Sequence, residues 1–473
     1  IRLLTRDSQS PVIPLPASLG RKGFSSEDPQ ERGTPCAAWW MEGKHFVFYA
    51  GTSPIDRAVK SVRENALKGG LLGHPLYQRC LKPAPFESVA RGFVDTNSMV
   101  QIAKHLAGPF VPGLSEKLDA IGIGNLKAIV FSSGFEGKES RAVYEFDLPG
   151  ERQGLARLLK SKPVTLADLP PLPPDVSRFS MLRVDPTGAY DAYLAALETF
   201  AAGESFGVED QAKTPQDAKR LRREYLEREF NKTLGFNFKD DLLPHLGDKF
   251  VTYQTPVEGF SLLGTVFCLS VKDGAKVRAA MDRMQRSLET LASSPVKIRR
   301  KVLRGVELRE IYSRGFYIFT PTYSVAGGWL VFALHPQPVQ GFVLRHMKDL
   351  ESWKPDAATS ARLAKMPADS IGLQFCNPKS TVHNICCVGP VLLNALSVAD
   401  LFSGDTQEFD PLDIGLVPNG YELGKHLFPN LTYTRDDGKT LRIDVNESFS
   451  LPLEFIGFDF LPFALGAGLG FAF

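Results

Sequence analysis

The chain has 473 residues, 43% of them hydrophobic and 23% charged, with 55 basic and 53 acidic side chains. That length can bury several cores, and the composition is that of an ordinary globular protein. A formal net charge of +2 supplies no field that would gather a polyanion, so a nucleic-acid partner is excluded from the start.

In chain order, residues 9–35 are rich in proline, glycine and charge and read as a loop. The run 45–51, HFVFYAG, predicts a strand. A helix is expected from Pro54 to Leu67, capped by Ser53, with Ile55, Ala58, Val59 and Val62 at helical spacing. A strand over 91–96 leads to a helix over 97–106, and a hairpin is expected over 128–148 with its turn around Gly137. A short helix over 154–160 follows. The stretch 162–178 carries prolines at 163, 170, 171, 173 and 174, which make it stiff and extended. Residues 166–177 are therefore expected to link two modules. Beyond it come a strand (179–185), a helix (189–202), a charged helix (214–235), and a short helix near Asp240 that ends at Gly247 and leads into a strand. A strand over 262–273, a helix over 275–294 and a hairpin around Gly305 complete the stretch.

From that point the sequence echoes itself. Residues 306–313 resemble 1–8, the segment at 327 resembles that at 42, the segment at 368 resembles that at 88, and 431–445 resembles 128–146. Four echoes in one order imply a duplicated unit whose first copy starts part-way through. Hairpins joined by short turns give antiparallel strands, and helices recur between them. The expected class is α+β: two related modules of mostly antiparallel sheet with helices on one face. The expected boundaries are 1–165 for a first, incomplete module, 166–177 for the linker, 178–455 for a complete second module, and 456–473 for an apolar tail.

Reaction machinery is not legible. The chain has no GxSxG, HExxH or phosphate-binding loop, and GAGLG at 466–470 lacks the strand that a nucleotide loop follows. No cofactor and no metal are expected. Six cysteines (36, 80, 268, 376, 386, 387) form no CxxC, and Cys268 sits in an apolar run as a core residue would. A bridge from Cys376 to Cys386 or Cys387 is open to an oxidising compartment, with free thiols the reading preferred. His245 beside Asp240, Asp241 and Asp248 is the nearest approach to a constellation, but helix capping accounts for the two aspartates. Asp95 and Asp185, each between a strand and a helix, read as caps.

The string LGFNFKDDLLPHLGDKFVTYQTP at 234–256, with RVDPTGAYDAYLAAL at 183–197 and the strand–turn–helix from Gly328 to Pro336, resembles a family of uncharacterised bacterial envelope proteins known only as a domain of unknown function. The likeness spans roughly 175–350. It implies an extracytoplasmic, membrane-associated protein in the periplasm or on the outer face of the cytoplasmic membrane, and it carries over no catalytic residue.

The end of the chain is almost wholly apolar. Phe455, Ile456, Phe458, Phe460, Leu461, Phe463, Leu465, Leu469, Phe471 and Phe473 are too many to leave in water, so this segment is expected to contact a membrane or a partner. The glycines at 466, 468 and 470 favour the opening of a closely packed membrane helix over a final strand. These readings point to a non-enzymatic envelope protein that binds or scaffolds, with other proteins or a second copy of itself as partners. A hydrolase with a dispersed site and a carrier of an apolar ligand are the alternatives.

Overall fold

The computed structural model describes residues 13–15, 20, 22–25, 36–42, 45–51, 54–65, 73–107, 111, 113–154, 157, 162–200, 213–259, 261–290, 296–313, 319–380, 382–383, 386 and 419–448. The apolar tail 455–473, with its ten predicted contact residues, and the echo at 1–8 lie outside the described residues. The class is α+β, with a small and a large sheet. The chain divides into two compact units, Ile1–Lys82 and Pro83–Phe473.

The first unit holds an antiparallel sheet in the order β1 (Ile13–Pro14), β2 (Gly23–Ser25), β3 (Cys36–Glu42) and β4 (His45–Gly51). Helices α1 (Ile55–Asn65) and α2 (Pro75–Cys80) follow. Ile55, Ala58 and Val59 recur at helical spacing, and Ile55 and Val59 pack with Ala38 and Trp40 of β3 and with Leu15 in one core. One face of this sheet is thereby closed.

The second unit opens with β5 (Glu87–Val94), α3 (Thr96–Ala107), α4 (Leu114–Ala120) and the hairpin of β6 (Ala128–Glu136) and β7 (Glu139–Asp147). It continues with β8 (Arg178–Arg183), α5 (Pro186–Phe200), α6 (Pro215–Leu234), α7 (Phe238–Asp241), β9 (Leu246–Gln254), β10 (Thr265–Val271) and α8 (Gly274–Thr290). Then come β11 (Val296–Leu303), β12 (Val306–Ser313), β13 (Thr322–Ala326), β14 (Trp329–Ala333), α9 (Pro336–His346), α10 (Ala357–Leu363), β15 (Ser370–Cys376), α11 (Gly420–Gly424), β16 (Asn430–Asp436) and β17 (Thr440–Glu447). All of its described strands form one antiparallel sheet, ordered β11-β12-β13-β14-β10-β9-β8-β15-β16-β17-β7-β6-β5. Helices cover both of its faces, one more than expected. Helix α9 packs on Leu308 and Val331, while α8 packs on Tyr323, whose cross-strand partner Phe332 faces the same way. Central strands such as β9, with Val251, Thr252 and Tyr253 all buried, need cover on both sides.

The module boundary expected at 166–177 is not where the chain divides. Strands β5–β7, assigned to the first module, lie in the same sheet as the second, and the proline-rich stretch is packed rather than linking. Val164, Leu172 and Val176 are core residues. Val164 N donates to Ser370 O at 2.8 Å, Trp353 N to Leu172 O at 2.8 Å, and Arg345 Nε to Pro171 O at 3.2 Å. Proline fixes the backbone in an extended form, and that form lets alternate apolar side chains reach one core.

The spacing between the sequence echoes recurs in the strand register. Gly137 and Gly438, the two hairpin glycines of the echo, both take positive φ at the tips of β6–β7 and β16–β17. Val130 pairs with Glu145, and at that same spacing along the chain Leu431 pairs with Asn446. Phe93 pairs with Val130 as Phe375 pairs with Leu431. A bulge between Ser88 and Ala90 in β5 is matched, residue for residue, by one between Ser370 and Gly372 in β15. The blocks β5–β7 and β15–β17 meet at β7·β17, where Val143 pairs with Asp444, its own equivalent in the second block. A local two-fold axis thus runs through that pair. The first unit follows the same rule: Trp40 pairs with Val47 as Ser324 pairs with Val331. Buried Ile55, Ala58 and Val59 of α1 answer to buried Val339, Phe342 and Val343 of α9.

Candidate interaction surface

Strands β2, β3 and β4 each alternate between two faces, and both faces are apolar. Side chains on the inner face meet α1. On the outer face the register sets Trp39 against Phe24 on one side and Phe48 on the other, and Met41 against Phe46. The rings of Phe24 and Trp39 stack at 5.5 Å. Phe46 is 62% exposed, Phe48 64%, Met41 47% and Phe24 44%. A contiguous set of large apolar side chains in solvent is what an interaction surface looks like, whereas single exposed residues are unremarkable.

The register gives this face a counterpart. Phe24 and Trp39 answer to Arg309 and Tyr323, which pair with each other in the same way. Met41, Phe46 and Phe48 answer to Val325, Leu330 and Phe332, all three at one constant spacing along the chain. There the face is closed by α8: Val277, Ala280 and Met281 form one core with Tyr323, and Val325, Leu330 and Phe332 pack against it. Arg309 is buried, and its Nη2 donates to Asp282 of α8 while its Nε donates to Glu307 at 3.2 Å. The same pattern of strands therefore carries a helix in one place and solvent-exposed aromatic rings in the other.

Beneath α8 a cavity of about 370 Å³ is lined by Arg278, Met281, Glu307, Arg309 and Tyr323 among others. The Arg309 guanidinium lies 5.8 Å from the centre of the Tyr323 ring. Burial raises the Tyr323 hydroxyl above its ordinary value, so it stays protonated. The cavity adjoins an Arg–Asp–Glu network, and the Ser324 hydroxyl in its lining donates to Glu307 O at 2.7 Å.

The aspartates near His245 serve structure. Asn237 caps α7, its side chain accepting from Lys239 N at 3.1 Å, and Asp241 accepts from Asn237 N at 3.0 Å and pairs with Arg283 at 3.2 Å. The helix ends at Asp241 rather than near Gly247, because Pro244 has no N–H to continue it, and Gly247 lies in β9. Asp95 caps α3, accepting from Ser98 N at 2.9 Å. Cys268 is fully buried and Cys376, in β15, is buried as well. Among the described residues no helix is long and apolar enough to cross a membrane, and no three His, Cys, Asp or Glu side chains are placed to hold a metal ion.

The run 45–51 is the strand that its sequence predicts, and its composition carries a further signal. Phe46, Val47, Phe48 and Tyr49 run without a polar break, which is the signature of a strand covered on both sides. No family model matches the chain, and neither a curated protein nor a solved structure is significantly similar to it.

Proposed function

We propose that this chain is a binding or scaffolding protein of the bacterial envelope, and that it docks a partner polypeptide on the outer face of β2–β4. The observation that carries the reading is the contiguous exposure of Phe24, Met41, Phe46 and Phe48 around Trp39. Covering one such side chain stabilises a contact by about 1.5–3 kcal/mol, so a few of them suffice as anchors. The envelope location follows from the resemblance at 234–256, and cell fractionation of the source organism checks it.

The docking reading is checked with the Phe46→Thr/Phe48→Thr variant. Threonine suits a strand, and surface exchanges of this kind move stability by about 0.5 kcal/mol or less. The variant should fold with an unchanged melting temperature while losing the complex, or the self-association, that the native chain shows by light scattering in its own extract. A variant that melts many degrees lower would mean that the face is an internal contact, and the reading would fall.

A further inference from the structure

Resting on the docking reading, we infer that the occupant of the β2–β4 face is an amphipathic α-helix, lying as α8 lies on β12–β14, with an apolar side chain where α8 carries Asp282. The register equates the two sets of strands residue by residue. Both sets have a helix on the opposite face, α1 and α9, with buried residues at equivalent positions. The remaining face is covered by α8 in the one case and exposed in the other. Helix α8 is engaged with Tyr323 and its neighbours, and the helix that covers β2–β4 is that of the partner polypeptide.

Helix α8 shows what such a helix needs. Val277, Ala280 and Met281 stand at i, i+3 and i+4, which puts them in one stripe. Ala280 is fully buried, and its small side chain permits close approach to the sheet. Asp282, at the edge of the stripe, accepts from Arg309 and lies 3.4 Å from Arg300. On β2–β4 the place of Arg309 is taken by Phe24, stacked on Trp39. A carboxylate set over those rings would lose water without the guanidinium that Arg309 gives Asp282, a loss that an apolar side chain does not incur. The partner helix therefore keeps α8's stripe and differs at this one position.

The probes are synthetic peptides of residues 274–290, GAKVRAAMDRMQRSLET, carrying a fluorescent label. One has the native sequence, one Asp282→Leu, and one Asp282→Leu with Ala280→Pro, which breaks the helix. Each is titrated against the full chain and against its Phe46→Thr/Phe48→Thr variant, following anisotropy. The Asp282→Leu peptide should bind at least about tenfold more tightly than the native peptide, the difference expected from one unpaired carboxylate at a partly covered site. Binding should vanish with the proline peptide and with the double variant. Equal binding of the native and Asp282→Leu peptides, or binding that survives the loss of Phe46 and Phe48, overturns the inference. Failure of every peptide, while the double variant still abolishes the native chain's own complex, overturns the helix and leaves the docking surface standing. If the double variant also leaves that complex intact, both readings fall together.

Discussion

Arg183 shows how single residues hold the proline-rich stretch in place. Its Nη2 donates to Asp168 at 3.0 Å, its Nη1 to Asp248 at 2.7 Å and its Nε to Pro163 O at 3.3 Å. Lys249 adds a second cation to Asp168 at 2.7 Å. Burial alone would raise the Asp168 carboxyl, but hydrogen bonds from Lys249 and Thr165 and the charge of Arg183 outweigh it and hold the group below its ordinary value. A carboxyl depressed in the folded state contributes stability that is present above its unfolded pKa of about 4 and is lost as pH falls through the folded value. Asp168→Asn should therefore lower stability by about 2 kcal/mol at pH 7, and the gap from the native chain should close as pH approaches 2. Denaturant titrations at several pH values check this. A gap that is independent of pH would mean that packing, not charge, holds the site.

At the scale of elements, the stretch 162–178 separates two physical pictures. A linker tolerates truncation of its side chains, whereas a packed strap does not. Leu172 is 2% exposed, and its carbonyl accepts from Trp353 N. Leu172→Ala should cost about 2–5 kcal/mol in urea denaturation, the range of buried leucines elsewhere. A cost under about 0.5 kcal/mol, typical of surface positions, would restore the linker. The aromatic face belongs to this scale too. Whether Phe46 and Phe48 are liabilities or anchors depends on which element lies over them, and α8 on β12–β14 supplies the precedent.

Over the whole molecule, the blocks β5–β7 and β15–β17 join at one antiparallel seam, and the pair on its local axis is Val143 and Asp444. Both are largely buried. Asp444 stays ionised because Arg442 and Arg435 outweigh the burial that would raise its carboxyl. Val143→Asp should place a second carboxylate directly across the seam and cost about 3 kcal/mol or more at pH 7, with partial recovery in acid. Val143→Thr, of nearly the same shape, should cost about 1–2 kcal/mol. Chemical denaturation of the two variants at neutral and acid pH measures both costs. Equal costs would show that charge across the seam is immaterial.

Local chemistry made much of this fold legible. The hairpin glycines at 137 and 438, the Asp95 cap, the charged helix α6 and the core place of Cys268 all follow from one or a few neighbouring residues. The echoes at 42, 88 and 128 carried the register correspondences between the repeated strands, because a strand keeps its partner only if its apolar spacing is kept, whereas the echo of 306–313 in 1–8 did not, since β12 pairs as β2 does. Neighbouring residues do not decide whether prolines link or pack. The strap is buried because Ser370, Trp353 and Arg345, distant in sequence, meet its backbone. Nor do they decide which apolar face is closed. Phe48 and Phe332 sit in like strands with like neighbours, and the presence of α8 over one of them packs it against a core and leaves the other in solvent.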